Sequence, residues 1–138
     1  GPTAPVPLED RIEAALAGAL LADALAAPSH GEYDLAKARA ALSVVPARTS
    51  SSSPQSECGD ELRHALEVVA QRGFEFSAFA SSWQGWAEGY EGAQGPGVRE
   101  ALQNLARGIP AHSAGSHYID LSGAVRVPAL LLLARRAD

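Results

Sequence analysis

Residues 8–28 read LEDRIEAALAGALLADALAAP, and we expect the rest of the chain to pack around this stretch. Its alanines and leucines favour a helix, and apolar residues such as Ile12 and Leu16 recur at helical spacing. Beyond Glu13 the remaining faces are almost entirely apolar as well. Because a helix that is apolar on all sides normally has neighbours on several of them, the pattern predicts a central helix that ends at Pro28.

Asp23 is the only charged residue of this stretch after Glu13, and it falls within the apolar stripe. A buried carboxylate is costly unless it is paired, metal-bound or well hydrogen-bonded. We interpret Asp23 as a buried structural acid that accepts hydrogen bonds from backbone N–H groups of a neighbouring loop. A direct catalytic or metal-binding role and simple exposure are the alternatives.

The composition is that of a globular protein, with 138 residues, 46% hydrophobic and 20% charged. Its length predicts a single domain, and a net charge of -5 argues against a nucleic-acid or anionic-membrane partner. No apolar run is expected to span a membrane. The N-terminus lacks the basic region of a signal peptide. One cysteine, Cys58, cannot form an internal disulfide, and we expect a cytoplasmic protein.

Apolar periodicity and turn residues predict five further helices and no strand. They are expected at residues 33–45, from 59 to Gly73, at 77–90, from Pro96 to Gly108 and at 120–136. Helices joined by loops indicate an all-α domain, assigned to residues 8–138. Residues 1–7 are interpreted as a tag remnant and an extended lead-in. The Ser-rich loop at 46–57 is expected to be disordered over residues 49–55.

Aromatic residues recur along the fourth predicted helix at Phe76, Phe79, Trp83 and Tyr90. At helical spacing such residues are usually core. A surface that stacks a base or another ligand is the alternative. The last helix contains Pro128, which either sits in its first turn or kinks it.

The strongest chemical pattern is the acidic start of the third helix, where Glu57, Asp60 and Glu61 fall within five residues. Carboxylate oxygens suit a hard cation such as Mg²⁺. Acids at a helix N-terminus also complement the helix dipole and cap free N–H groups. The local sequence leaves both interpretations open.

The four histidines do not have the spacing of metal ligands. His64 is expected on the polar side of its helix, whereas His117 and Tyr118 precede the last helix and could line a pocket. Cys58 is more typical of inert packing than of a nucleophile.

The order of these motifs resembles the N-terminal half of an ADP-ribosylglycohydrolase, a family that includes the dinitrogenase-reductase-activating hydrolases and the jellyfish crystallins. Residues 15–30, ALAGALLADALAAPSH, match the family's opening helix. Gly59-Asp60-Glu61-Leu62 falls at its metal motif, Gly/Ser/Thr-Asp-Asp-Thr. The run ALQNLARG at 101–108 and GAVRVP at 123–128 follow in family order.

The resemblance implies two Mg²⁺ ions that hold ADP-ribose and activate water for hydrolysis. Asp60 and Glu61 match the first metal-ligand set and are the candidate catalytic and metal-binding residues. His30 falls where many members have a glutamate that works beside the metals, and Glu32 lies nearby. We therefore assign ligand binding to His30, Glu32 and His117.

Three departures from the family pattern lead us to expect a catalytically degenerate domain. Glu61 replaces an aspartate, Leu62 replaces the threonine, and the second ligand set of the C-terminal half is not in this chain. Because Mg²⁺ needs near-ideal octahedral geometry, we expect weak or no Mg²⁺ binding by the chain alone. The expected role is interaction or binding of an ADP-ribose-type ligand. The alternative is a fragment or half-subunit of a Mg²⁺-dependent hydrolase, completed by a second chain or copy.

Overall fold

The computed structural model describes residues 3–43, 55–119 and 122–134. Within these ranges helix is the only regular structure, which confirms the predicted all-α class. The α-helices are α1 Leu8–Ala26, α2 Leu35–Ser43, α3 Glu57–Arg72, α4 Phe76–Glu88, α5 Pro96–Ala106 and α6 Leu131–Ala134. Shorter 3-10 helices cover Ala27–Ser29, Ala111–Ser113 and Ser122–Leu130. The loop predicted to be disordered lies outside the described residues except for Gln55.

The chain divides into two compact units, Gly1–Asp60 and Glu61–Asp138. The boundary falls inside α3, so the first unit holds α1, α2 and the start of α3. The assignment of one domain to residues 8–138 stays a prediction.

The first unit covers little of α1. Ile12 and Leu16 are its buried residues, whereas Leu21 and Leu25 are 61% and 56% exposed. The prediction of a central helix is therefore wrong for this structure, because a 3-10 turn, α2 and one turn of α3 are too few elements to surround it. Pro28 acts as predicted, since the α-helix ends at Ala26 and continues only as a 3-10 turn.

Residues Leu8–Ser29 form a helix of 22 residues with a hydropathy of 1.4, which is long and apolar enough to cross a bilayer. This corrects the expectation that no run reaches that threshold. Core helices of soluble proteins and signal sequences have the same length and composition, so this helix does not by itself make the chain a membrane protein.

The second unit has a core between α4 and α5. Trp83 and Ala87 are buried there against Val98, so Trp83 occupies the predicted core position, whereas Phe76 is 49% exposed. The carboxylate of Glu75 accepts the backbone N–H groups of the first turn of α4 and so caps the helix.

The predicted helix ends are confirmed where a special residue sets them. Gly73 and Gly108 follow α3 and α5 with φ values of 71° and 82°, a conformation that glycine adopts without strain. Pro96 is the first residue of α5, where its missing N–H leaves no bond unmade.

The final segment differs from the predicted α-helix over residues 120–136. A 3-10 helix runs from Ser122 to Leu130, and only Leu131–Ala134 is α-helical. Pro128 lies inside the 3-10 part. Its ring and missing N–H disfavour an α-helix interior, and the α-helical turn begins only after it, at Leu131. The first two residues of the predicted helix, 120 and 121, lie outside the described residues.

Candidate functional site

Asp23 of α1 is bound by Ser56, which precedes α3. The backbone N–H of Ser56 donates to Oδ2 of Asp23 at 2.8 Å, and its hydroxyl donates to Oδ1. Asp23 is partly buried, which corrects the expectation of a fully buried acid. Each Asp23 oxygen therefore accepts one hydrogen bond from a neutral donor. The side chain is only partly buried, because α1 is little covered.

Gly59 lies beside the same carboxylate. A Cβ atom at this position would overlap Oδ2 of Asp23 and Oε1 of Gln55. Glycine is thus the residue that lets α3 approach Asp23 this closely. The first position of the metal-type motif has a packing role here.

The two candidate ligand-binding residues of the first unit lie at the surface. His30 follows the 3-10 turn and is exposed. Glu32 is also exposed, and its Oε1 accepts the backbone N–H of Asp34 at 2.8 Å. Glu32 therefore contributes to the turn that leads into α2.

Asp60, the first motif acid, closes the first unit. It is 6% exposed, and its backbone N–H donates to the carbonyl oxygen of Ser56 at 2.9 Å. The neighbouring Cys58 is a free thiol, half-buried.

Glu61, the second motif acid, belongs to the second unit and is 1% exposed. Its Oε2 accepts a hydrogen bond from Nε of Arg126 at 3.0 Å. This is a charge-assisted bond between a carboxylate and a guanidinium, stronger than a neutral one. Leu62, at the position of the motif threonine, is buried as well, at 6% exposed.

Arg126 also covers the aromatic core. The central carbon of its guanidinium lies 4.9 Å from the centre of a Trp83 ring, within range of a cation–π interaction. Glu61 and Trp83 therefore hold the same guanidinium, one through its edge and the other through its face. Arg126 comes from the GAVRVP run, 65 residues after Glu61.

His64 faces the aromatic side of α4, so its predicted polar placement is wrong. Its ring stacks on Trp86 at 5.4 Å between centroids, and its Nε2 lies 3.2 Å from the Ser82 hydroxyl. Burial lowers the pKa of His64 below its usual 6.5, Glu67 opposes this, and the positive charge of Arg126 lowers the pKa further. Such a histidine tends to remain neutral in the folded protein.

His117 forms an exposed pair with Glu100. The Nδ1 atom of His117 and the Glu100 Oε1 atom are 2.9 Å apart, while the backbone N–H of His117 and the Ser116 hydroxyl both donate to Oε2. The side-chain bond to His117 and then its backbone N–H keep the pKa of Glu100 below its ordinary value. His117 and Tyr118 both line a shallow surface depression beside Pro96.

Sequence reasoning missed the residue that engages Glu61. Arg126 lies in the GAVRVP run, but the sequence around residue 126 does not show which acid its guanidinium binds. Ser56 was missed for the same reason, since its partner Asp23 lies 33 residues earlier.

Within residues 3–43, 55–119 and 122–134, no three His, Cys, Asp or Glu side chains are grouped so that they could hold a metal ion. Of the two acids that the resemblance proposes as ligands, Glu61 is bound by Arg126, and Asp60 is buried, at 6% exposed.

One comparison with known proteins identifies a family. The family model described as ADP-ribosylglycohydrolase matches residues 4–138. No curated protein and no solved structure shows significant similarity to the chain. Since the match covers nearly the whole sequence, this chain belongs to the ADP-ribosylglycohydrolase family.

Proposed function

We propose that this chain is a non-catalytic ADP-ribosylglycohydrolase-like domain whose fold serves binding or interaction. The observation that supports it most is the pairing of Glu61 with Arg126 at 3.0 Å. A carboxylate that already neutralises a guanidinium is a poor ligand for a second cation, because that cation would meet the positive charge of Arg126.

The other residues at the motif do not fit Mg²⁺ either. Leu62 has no oxygen in its side chain, so besides Glu61 only Asp60 contributes a carboxylate at the motif. Mg²⁺ held by one carboxylate keeps nearly all of its waters and exchanges freely. No catalytic step through a metal is therefore derived for this chain.

The proposal extends to the cellular location of the protein. With a single half-buried thiol, Cys58, the chain has no need of an oxidising compartment, and we propose a cytoplasmic location.

The test is a release assay on proteins ADP-ribosylated at arginine and at serine, with Mg²⁺ present. The expected result is no release above that of the buffer, for the chain itself and for Asp60→Asn alike. Release that increases with the square of the chain concentration and is lost in Asp60→Asn would overturn the proposal. It would favour the alternative, a half-subunit completed by a second copy.

A further inference from the structure

The second unit contains a half-open cavity of about 330 Å³ between α4, α5 and the segments after α5. Its aromatic side is formed by Phe76, Phe79 and Trp83, and its aliphatic side includes Val98 and Ala101. This volume lies at the small end of the range for ligand pockets, which are mostly apolar with a few placed polar groups.

One of the polar groups in this cavity is the guanidinium of Arg126. Its Nε is bound to Glu61 and its face lies against Trp83. The side chain is 30% exposed, and neither of these two contacts uses an N–H of the terminal nitrogens. Two fixed contacts therefore orient a pair of donors before any ligand arrives, which lowers the entropy that binding would lose.

The charge of the cavity limits the net charge of the ligands that it can bind. Arg126 is the one lining residue, among those the structure describes, that is charged at neutral pH. Glu61 directly behind it offsets that charge. A ligand with several negative charges would find no excess positive potential, whereas a single carboxylate can take the two guanidinium donors side by side.

The ring of Trp83 forms part of the cavity wall. The residue is 4% exposed, and its Nε1 atom is buried. Because Nε1 has almost no accessible surface, a molecule in the cavity would contact the carbon atoms of this ring and not its N–H.

We propose that this cavity binds a small aromatic monocarboxylate, with the ring against the α4 aromatic side chains and the carboxylate on the terminal nitrogens of Arg126. Such a ligand uses the aromatic lining and the one charged group of the cavity, and binding it requires no metal and no catalysis. The inference therefore goes beyond the proposed function and does not depend on it.

The test uses the 138-residue chain in a metal-free buffer and three probes of the same ring size: naphthoate, neutral naphthamide and doubly charged naphthyl phosphate. Calorimetry should show submillimolar binding of naphthoate, with naphthamide weaker by about tenfold, the loss of one charged hydrogen-bonded pair. Naphthyl phosphate should bind no more tightly than naphthoate. Amide chemical shifts should change at Ala80, Ala101 and Gly115.

Two alanines of α5 provide matched variants. Ala101→Leu fills the cavity and should weaken naphthoate binding by about tenfold or more, while Ala106→Leu, exposed on the same helix, should leave it unchanged. The proposal would be overturned if naphthoate did not bind, or if it bound the two variants with equal affinity. Tighter binding of naphthyl phosphate than of naphthoate, or chemical-shift changes away from the cavity, would also overturn it. If Ala101→Leu does not fold, the amide chemical-shift changes that naphthoate causes in the unaltered chain show whether it binds in this cavity.

Discussion

Asp23 and Glu61 are both acids that the sequence singles out, yet the two units engage them differently. Asp23 is partly buried and takes neutral donors from Ser56. Glu61 is 1% exposed and takes a guanidinium from Arg126. A carboxylate with neutral donors still benefits from nearby water, whereas complete burial needs a counter-charge. Glu61 is thus part of a packed ion pair.

Replacing the arginine of that pair should have the largest effect. Arg126→Met leaves the buried charge of Glu61 without its cation, and breaking a buried pair in this way costs about 3–5 kcal/mol of unfolding free energy. Urea unfolding measures the loss. The exposed Arg107→Met is the matched control, expected within about 0.5 kcal/mol of the unaltered chain. Equal midpoints for the two variants would show that Arg126 does not stabilise Glu61.

A smaller loss is expected when the close approach in the first unit is blocked. In Gly59→Ala the added Cβ overlaps the Asp23 carboxylate, an overpacking that costs about 3 kcal/mol. Gly85→Ala on α4 is the control, since a Cβ there meets no atom within 4 Å. It should raise the stability slightly, by about 0.5–1 kcal/mol, through helix propensity. Thermal unfolding of both variants compares them, and a neutral Gly59→Ala would contradict the described contact.

Asp23→Leu tests the neutral-donor arrangement itself. It deprives the N–H and hydroxyl of Ser56 of their acceptors, with an expected loss of about 1–3 kcal/mol. Ser56→Ala keeps the backbone bond and should lose less. An unchanged thermal midpoint in Asp23→Leu would mean that Asp23 does not hold the start of α3.

The smallest effect is a pH dependence from His64. Because its pKa is lower in the folded chain than the usual 6.5, the unfolded chain takes up a proton first as the pH falls. The contribution to stability is therefore complete above 6.5 and decreases as the pH falls from there towards the folded pKa. His64→Gln should flatten the dependence of the unfolding midpoint on pH below 6.5, and exposed His30→Gln is the control. An identical slope in the two variants would be the contrary result.

The elements of this fold could be predicted where local chemistry decides them. Pro28, Gly73, Pro96 and Gly108 set helix ends through their own backbone preferences, and all four do so in the structure. The last helix was mispredicted because apolar spacing alone does not show how strongly Pro128 disfavours an α-helix interior.

The candidate site was only partly predictable because its partners are distant in sequence. The sequence identified Asp23 as an acid in need of donors and Glu61 as a substituted motif residue. It could not pair them with Ser56 and Arg126, which lie 33 and 65 residues away. Such pairings depend on tertiary packing, which a single periodic pattern does not record.

Calorimetric titration of Mg²⁺ into the chain, at neutral pH and with ADP-ribose present and absent, tests the central claim most directly. If Glu61 is committed to Arg126, the chain should give no heat of binding at micromolar Mg²⁺, and ADP-ribose should not change this. Asp60→Ala should behave identically. Micromolar Mg²⁺ binding that Asp60→Ala abolishes would contradict the account, because the motif acids would then be free to hold the metal.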